Sequence, residues 1–327
     1  MEMPTIEDRM KALAKKHSGL RKGKGAEIWK ELTSIVCSFQ SGQLAHAFSS
    51  FYALLCSHLE EMRTYEIAKD SCLYRMRKGT NDLEEYTSEY EMSHIPFELN
   101  HLVSNERFSI SGFPSLYMGS SVYACWEELH RPPFDFASVA LFKTRQEIQV
   151  IDLSEQEHYH FTNEVFSDCL TLACSLPVTY PDAPFKPEYI IPQLLMQSLV
   201  QYMHDRQENN LWGIRYTSTH VKDGNLWIQF PRNKRNRKLF YNFVFPAFDR
   251  KPIGLSDSIS NLFCFWNATT YNKIRLMRTD FLTANNAKSK TAFELVEEFL
   301  INMPLSGMLL YDGTNPRGAL TLGNRNI

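Results

Sequence analysis

Four side chains near the middle of the chain could together bind a ligand that carries phosphates, ribose hydroxyls and a flat cationic ring. They are Arg107, Tyr117, Glu128 and Ser218. Arginine binds phosphate oxygens through two parallel hydrogen bonds, and a tyrosine ring packs well against a cation. A carboxylate accepts hydrogen bonds from ribose hydroxyls and stabilises a developing positive charge. An ion-paired arginine, a core tyrosine, a capping glutamate and a strand-end serine would explain the same residues, so composition alone leaves both interpretations open.

The segment 107–128, RFSISGFPSLYMGSSVYACWEE, contains three of these four side chains and predicts a strand, a turn and a helix. Gly112 and Pro114 suit a turn, because glycine tolerates positive φ and proline fixes φ. Ser120 or Ser121 is a good N-terminal cap for the helix that follows. The segment can therefore place a cation, an aromatic ring and a carboxylate around one cleft, although many α/β enzymes contain a similar unit.

Other chemistries have weaker support in the sequence. Glu127 and Glu128 are adjacent and point about 100° apart on a helix, so they cannot share one acid–base task. The histidines of HYH at 158–160 lack further ligands at a recognisable spacing, and we therefore predict no metal site. The basic run at 232–238 is typical of a solvated hairpin loop. The motifs of serine hydrolases, dinucleotide-binding folds and phosphate loops are absent.

The elements that must position these residues alternate between helical and strand spacing, which favours an α+β or mixed α/β class. Apolar residues recur at helical spacing in three N-terminal stretches and in later ones: 5–18, 26–38, 43–61, 81–92, 161–176, 187–205 and 291–303. Strands are predicted at 72–78, within 138–154 (two strands), and at 209–220, 225–231 and 238–248. In the strand at 72–78, Tyr74 and Met76 should face one side and Arg75 the other.

Composition limits the class of protein. The chain has 327 residues, 43% of them hydrophobic, with 35 Lys and Arg against 37 Asp and Glu. This balance gives no electrostatic argument for binding nucleic acid, and no apolar run approaches the roughly 20 residues that span a bilayer. The N-terminus lacks the apolar segment of a secretory signal. Seven cysteines without CxxC spacing favour free thiols, and we expect a cytoplasmic protein.

Several motifs, in order and with their spacing, resemble the RES domain family, which is named for its Arg, Glu and Ser. They are YRMR at 74–77, RFSISGFPSLYMGSS at 107–121, YIIPQLL at 189–195 and GIRYTSTH at 213–220. The resemblance implies an α+β fold similar to ADP-ribosyltransferases, in which a split β-sheet surrounded by helices forms a cleft that holds NAD. It also implies three segments: a helical N-terminal extension at 1–70, the RES domain at 71–280, and a C-terminal helix and tail at 281–327.

The resemblance assigns roles to residues by position. Arg107, Tyr117, Glu128 and Ser218 would be catalytic, and five residues would line the NAD site: Tyr74, Arg75, Ser109, Glu127 and Tyr216. Ser109 stands where an asparagine often occurs in the family, which affects fine positioning. Glu127 is a rival for Glu128, because ACWEE can be aligned one residue either way. Cleavage in such a site requires no metal, since nicotinamide leaves as a neutral group.

Members of this family in bacteria are typically toxins of toxin–antitoxin pairs, so an antitoxin with a helix-turn-helix domain is a possible partner. The leading hypothesis is an enzyme that cleaves the nicotinamide–ribose bond of NAD by hydrolysis or phosphorolysis. One alternative is an ADP-ribosyltransferase that modifies a macromolecule in the same cleft. A second alternative, from a different class, is a non-catalytic nucleotide-binding or interaction protein.

Overall fold

The architecture was obtained from a computed structural model, which describes residues 4–79, 85–155, 159–161, 164–205, 211–218, 240–249, 251–277 and 291–303. His158, the strand predicted at 225–231 and the basic run at 232–238 lie outside the described residues. The helices in the described ranges are α1 Ile6–Lys16, α2 Gly23–Gln40, α3 Leu44–Ser57, α4 Glu89–Met92, α5 Val122–Glu128, α6 Val165–Cys174, α7 Ile190–Asp205, α8 Asp257–Leu262, α9 Tyr271–Met277 and α10 Ala292–Asn302. Short 3₁₀ turns lie at Ser18–Leu20, Leu59–Glu61, Phe97–Leu102, Phe134–Phe136 and Pro187–Tyr189.

Eight strands form one mixed sheet in the order β1-β5-β6-β7-β3-β2-β4-β8. Their bounds are β1 Thr64–Ile67, β2 Cys72–Lys78, β3 Ser115–Gly119, β4 Ala137–Thr144, β5 Ile148–Leu153, β6 Leu211–Thr217, β7 Tyr241–Pro246 and β8 Phe263–Thr270. Neighbouring strands are antiparallel except β5 and β6, which are parallel. The α+β class predicted from the sequence is confirmed.

The sheet is folded across its middle. Only residues 145–147 connect β4 to β5, although four strands separate them in the sheet order. In a flat sheet these strands would lie about 24 Å apart, whereas the four peptide steps from Thr144 to Ile148 reach about 15 Å at most. Phe245 of β7 and Phe263 of β8 also touch, with ring centroids 4.7 Å apart. The sheet must therefore turn back so that its two ends face each other.

The fold occurs between β3 and β2, where one residue pair, Tyr74 with Gly119, joins the strands. Beyond that pair, Nη1 of Arg75 donates to the backbone carbonyl of Tyr117 at 2.8 Å and takes the place of a ladder bond. The sheet is thus split into a first half, β1-β5-β6-β7-β3, and a second half, β2-β4-β8. An inner hydrophobic cluster from both halves fills the space between them, and it includes Leu116, Phe142, Val150, Phe245 and Phe263.

Helices cover the two outer faces of the folded sheet. On the first half, α1–α3, α6 and α7 pack with strand residues into a first outer cluster that contains Met10, Leu32, Ile151 and Ile214. On the second half, α5, α9 and α10 build a second outer cluster with β2 and β4. The N-terminal helices therefore share a core with the sheet, because their apolar stripes have no other surface to cover.

Local predictions from the sequence agree with the structure at most elements. Tyr74 and Met76 face the second outer cluster, as the alternation in β2 predicts. The helix expected at 81–92 is present only at Glu89–Met92, where Ser88 caps it; residues 80–84 lie outside the described part. The two strands within 138–154 are present, but they do not pair with each other. In the described part of the chain, no helix is long and apolar enough to cross a membrane.

Candidate active site

The acid Glu128 is carried by a short helix that turns sharply out of β3. Gly119 ends the strand, and a Cβ at this position would lie 2.7 Å from Sγ of Cys125 and 3.0 Å from the backbone oxygen of Ser121. Only glycine allows such a close approach of strand and helix. Oγ of Ser121 then accepts a hydrogen bond from the N–H of Ala124 at 3.1 Å and caps α5. Glu128 follows in the last turn of α5.

The carboxylate of Glu128 lies over the sheet at β7. Its Oε1 accepts a hydrogen bond from Nδ2 of Asn242. Asn242 is paired in register with Gly119 on one side and with Tyr216 on the other. Because side chains alternate between faces along a strand, Tyr117, Asn242 and Tyr216 all point to the outer face of the first half. Glu128 therefore meets this face where three neighbouring strands present polar side chains.

Electrostatic effects on Tyr216 identify which charges gather at this point. Burial raises the pKa of the Tyr216 hydroxyl well above its usual value, and the negative charge of Glu128 and the nearby Tyr117 raise it further. The positive charge of Arg107 lowers the pKa of Tyr216, whereas the negative charge of Glu106 raises it. Three of the predicted site residues, Arg107, Tyr117 and Glu128, thus lie close enough to influence the hydroxyl of a fourth, Tyr216.

Arg107 is fixed by the C-terminus of α6. Its Nη1 donates to the backbone oxygens of Cys174 at 2.7 Å and Leu176 at 3.0 Å. Carbonyls at the end of a helix lack partners within the helix and favour a cation. The guanidinium carbon also lies 5.2 Å from the ring centroid of Tyr189. In the described residues Arg107 forms no ion pair with a carboxylate, so its charge remains available to an anionic ligand.

Ser109 positions the ring of Tyr117. The two hydroxyls are 2.8 Å apart, and burial raises the pKa of Tyr117 above its usual value. Ser109 is held in turn by Gln193 of α7, whose Nε2 donates to the backbone oxygens of Glu106 at 3.0 Å and Ser109 at 3.1 Å. The α7 helix thereby fixes the segment that carries Arg107.

Ser218 lies directly after β6, two residues beyond Tyr216 and on the same face of the sheet. Its side chain is buried, and its N–H donates to the backbone oxygen of Phe240 at 3.1 Å. β7 separates β6 from β3, so Ser218 and Tyr117 belong to one sheet surface. They do not stand on two opposite walls of a cleft.

Glu127, also predicted as a site residue, is not brought to this cluster. Glu127 is buried on the other side of α5, where Oε1 accepts from the hydroxyl of Tyr123 and Oε2 pairs with Nε of Arg131 at 2.9 Å. Glu127 and Glu128 thus have different surroundings, and Glu128 is the one that lies beside Tyr117 and Tyr216.

Tyr74 and Arg75 occupy structural positions at the split in the sheet. Tyr74 packs in the second outer cluster with Val122 and Cys125. Arg75 reaches the Tyr117 carbonyl, and its Nε is buried without a hydrogen-bond partner in the described residues. Burial, and secondarily the charge of Arg77, lowers the pKa of Arg75 to about 10. Both residues hold β2 against β3 without joining the group around Tyr216.

Asn242, Tyr189 and Gln193 contribute to the site but were not identified from the sequence. Asn242 had a detectable signal, because it is an amide within an otherwise apolar and aromatic run, LFYNFVFPAF. Tyr189 and Gln193 fall inside YIIPQLL, one of the motifs noted above, yet nothing local distinguishes them. Among the described residues, no group of three His, Cys, Asp or Glu could hold a metal ion.

Comparisons with known proteins agree with this arrangement of motifs. The family model of the RES domain matches residues 73–240. A protein of Bacillus subtilis (strain 168) named "Putative toxin YopC" is 32% identical over 219 residues, which cover 60% of this chain and 46% of that protein. The chain thus matches less than half the length of that relative. A chain in the crystal structure of the M. tuberculosis MbcT–MbcA toxin–antitoxin complex aligns with 63% of this chain and with 86% of its own length. The sequence identity is 12% and the TM-score is 0.33, and a likeness this weak supports no argument.

Proposed function

This chain belongs to the RES domain family, and from that premise we propose that it is an NAD-consuming enzyme that cleaves the nicotinamide–ribose bond. The observation that carries the proposal is that Asn242 holds Glu128 over the sheet face that presents Tyr117 and Tyr216. Arg107 lies near enough for its charge to act on the Tyr216 hydroxyl. A fixed cation, an aromatic ring and a carboxylate match the phosphates, the nicotinamide and the ribose of NAD.

In this proposal Glu128 performs the central task. Its carboxylate accepts hydrogen bonds from ribose hydroxyls and stabilises the positive charge that develops on the ribose as the bond to nicotinamide breaks. Asn242 holds one carboxylate oxygen, which fixes the orientation of Glu128 before substrate arrives. Water or phosphate then captures the ribose carbon, and nicotinamide leaves as a neutral molecule.

The remaining residues orient the substrate. Nη1 of Arg107 is already bonded to the carbonyls of Cys174 and Leu176. Arg107 therefore binds a phosphate through its other guanidinium nitrogens, Nε and Nη2. Tyr117 packs against the nicotinamide end, and Ser218 bonds the amide or the ribose. Ser109 acts through Tyr117, since the two hydroxyls are hydrogen-bonded.

Release of nicotinamide from NAD tests this proposal. We expect the purified wild type to release it and Glu128→Gln to lower kcat by about a hundredfold or more, as removal of a transition-state charge does. Glu127→Gln is the matched control, because its amide oxygen can still accept from Tyr123, and it should retain most of the activity. No nicotinamide from the wild type, or equal rates for Glu127→Gln and Glu128→Gln, would contradict the assignment.

Analysis of the products separates the possible acceptors. Free ADP-ribose indicates hydrolysis, its 1-phosphate indicates phosphorolysis, and label retained on protein indicates ADP-ribosyl transfer.

The relative in Bacillus subtilis named "Putative toxin YopC" supports a toxin role, in which depletion of NAD arrests growth. Induced expression in a bacterial host should stop growth for the wild type and not for Glu128→Gln. A partner antitoxin with a helix-turn-helix domain belongs to the same proposal, and co-expression of the neighbouring gene should then restore growth.

A further inference from the structure

Helix α10 lies outside the residues that match the RES domain, yet it packs directly on the helix that carries Glu128. Its residues Val296, Phe299 and Leu300 are buried in the second outer cluster together with Val122 and Cys125 of α5. The ring of Phe293 stands 5.2 Å from the rings of both Tyr123 and Trp126 of α5. Contacts with α10 thus extend along α5 from Val122 to Trp126.

A polar contact joins the two helices at the start of α5. Oε1 of Glu297 accepts a hydrogen bond from the N–H of Val122 at 2.7 Å. Val122 is the first residue of α5, so its N–H has no carbonyl partner within the helix. Ser121 satisfies the N–H of Ala124. The first turn of α5 is therefore held by the side chains of Ser121 and Glu297, and Glu297 lies 175 residues after Val122 in the chain.

Glu297 has few other interactions that could explain its position. In the described part of the chain it forms no ion pair. The titratable groups that interact electrostatically with its carboxylate are Cys72 and Tyr74 of β2, Cys125 of α5 and Glu294 of its own helix. None of these groups is a cation. A half-buried carboxylate without a cation is costly, and the N–H of Val122 at the positive end of α5 is the group that offsets this cost.

We propose that Glu297 is a positioning residue that fixes α5, and thereby places Glu128 against Asn242 in the active site. A helix of seven residues is too short to be stable alone, since isolated helices below about 12 residues are marginal in water. The position of Glu128 then depends on the partners of α5. The catalytic part of this inference rests on the proposed function, whereas its structural part does not.

The experiment compares Glu297→Ala with Glu297→Gln, whose amide oxygen can still accept from Val122. Hydrogen exchange of peptides from α5 is measured alongside kcat and KM for release of nicotinamide from NAD. We expect Glu297→Ala to speed exchange in α5 by about tenfold or more, with α7 unchanged, and to lower kcat by a similar factor with KM within threefold. Glu297→Gln should stay within threefold of the wild type in both readouts.

The two readouts separate failure of this inference from failure of the proposed function. If the wild type releases no nicotinamide, the proposed function fails, while exchange in α5 still tests the role of Glu297. Unchanged exchange of α5 in Glu297→Ala overturns the inference, and so does a Glu297→Gln variant that is as impaired as Glu297→Ala. If Glu297→Ala does not fold, Glu297→Asp gives the same comparison, because it keeps the charge and withdraws the carboxylate by one methylene group.

Discussion

Removal of one partner from the buried ion pair between Arg215 and Asp152 should strongly destabilise the first half of the sheet. Nε of Arg215 meets Oδ1 of Asp152 at 3.0 Å, and Nη2 meets Oδ2 at 2.6 Å, which is a bidentate arrangement. Arg215 is 8% exposed and Asp152 4%. The guanidinium lies between the rings of Tyr65 and Tyr241, 3.5 and 4.5 Å from their centroids. Arg215 also precedes Tyr216, so this pair supports the strand that enters the site.

The perturbation is Asp152→Asn, which keeps the shape of the side chain but places an amide donor opposite a guanidinium donor. Burial alone would raise the pKa of Asp152, but the hydrogen bonds and charge of Arg215 bring it below the usual value. The carboxylate is therefore ionised at neutral pH. Removal of one partner leaves a buried cation unpaired, and we expect the free energy of unfolding to fall by about 3–5 kcal/mol.

Urea denaturation measures this loss, provided that the denaturant slopes of variant and wild type agree. Asp135→Asn is the matched control, because Asp135 pairs with Arg275 at 3.5 Å and their side chains are 44% and 53% exposed. An exposed pair contributes about 1 kcal/mol or less. If Asp152→Asn loses no more stability than Asp135→Asn, the reasoning about this buried pair is refuted.

Two further predictions concern the sheet and α10. In Gly213→Ala, the new Cβ would lie 2.5 Å from the backbone oxygen of Val244 and 2.7 Å from Cδ1 of Phe245, so β6 and β7 must separate. Urea denaturation should show that the free energy of unfolding falls by about 1–3 kcal/mol. A change below about 0.5 kcal/mol would argue against this close approach. Burial raises the pKa of Glu297 from 4.5 to about 7, and a raised carboxyl pKa adds stability that is present below pH 4.5 and lost as the pH rises through 7. Across that window the wild type should lose about 3 kcal/mol relative to Glu297→Gln. Parallel curves of stability against pH would contradict the raised pKa of Glu297.

Local faces of the elements were predictable from the sequence because they depend on periodicity alone. The helical spacing of apolar residues at 5–18 predicted a helix with one buried stripe, and in α1 Ile6 and Met10 are buried. Alternation in β2 correctly separated Tyr74 and Met76 from Arg75. Such patterns report which side of an element faces a core, and they need no knowledge of the partner.

The arrangement of the strands was beyond this reasoning. The short polar link between β4 and β5 is typical of a hairpin, yet it crosses between the two halves of a folded sheet. The partners of α5 were equally hidden, because Asn242 lies 114 residues after Glu128 and Glu297 lies 175 residues after Val122. Neither contact changes the local periodicity, so only the folded chain brings these residues together.

These distant contacts bear on how the chain is divided. The family match ends at residue 240, before Asn242 on β7 and before α10. The same match begins at residue 73, although α1–α3 share the first outer cluster with the strands that carry Tyr216. A unit limited to the matched residues would lack both the amide that holds Glu128 and the helix that supports α5. We therefore propose that α1–α3 of segment 1–70 and α10 of segment 281–327 fold together with the described part of segment 71–280, and that the site is assembled only when these helices are in place.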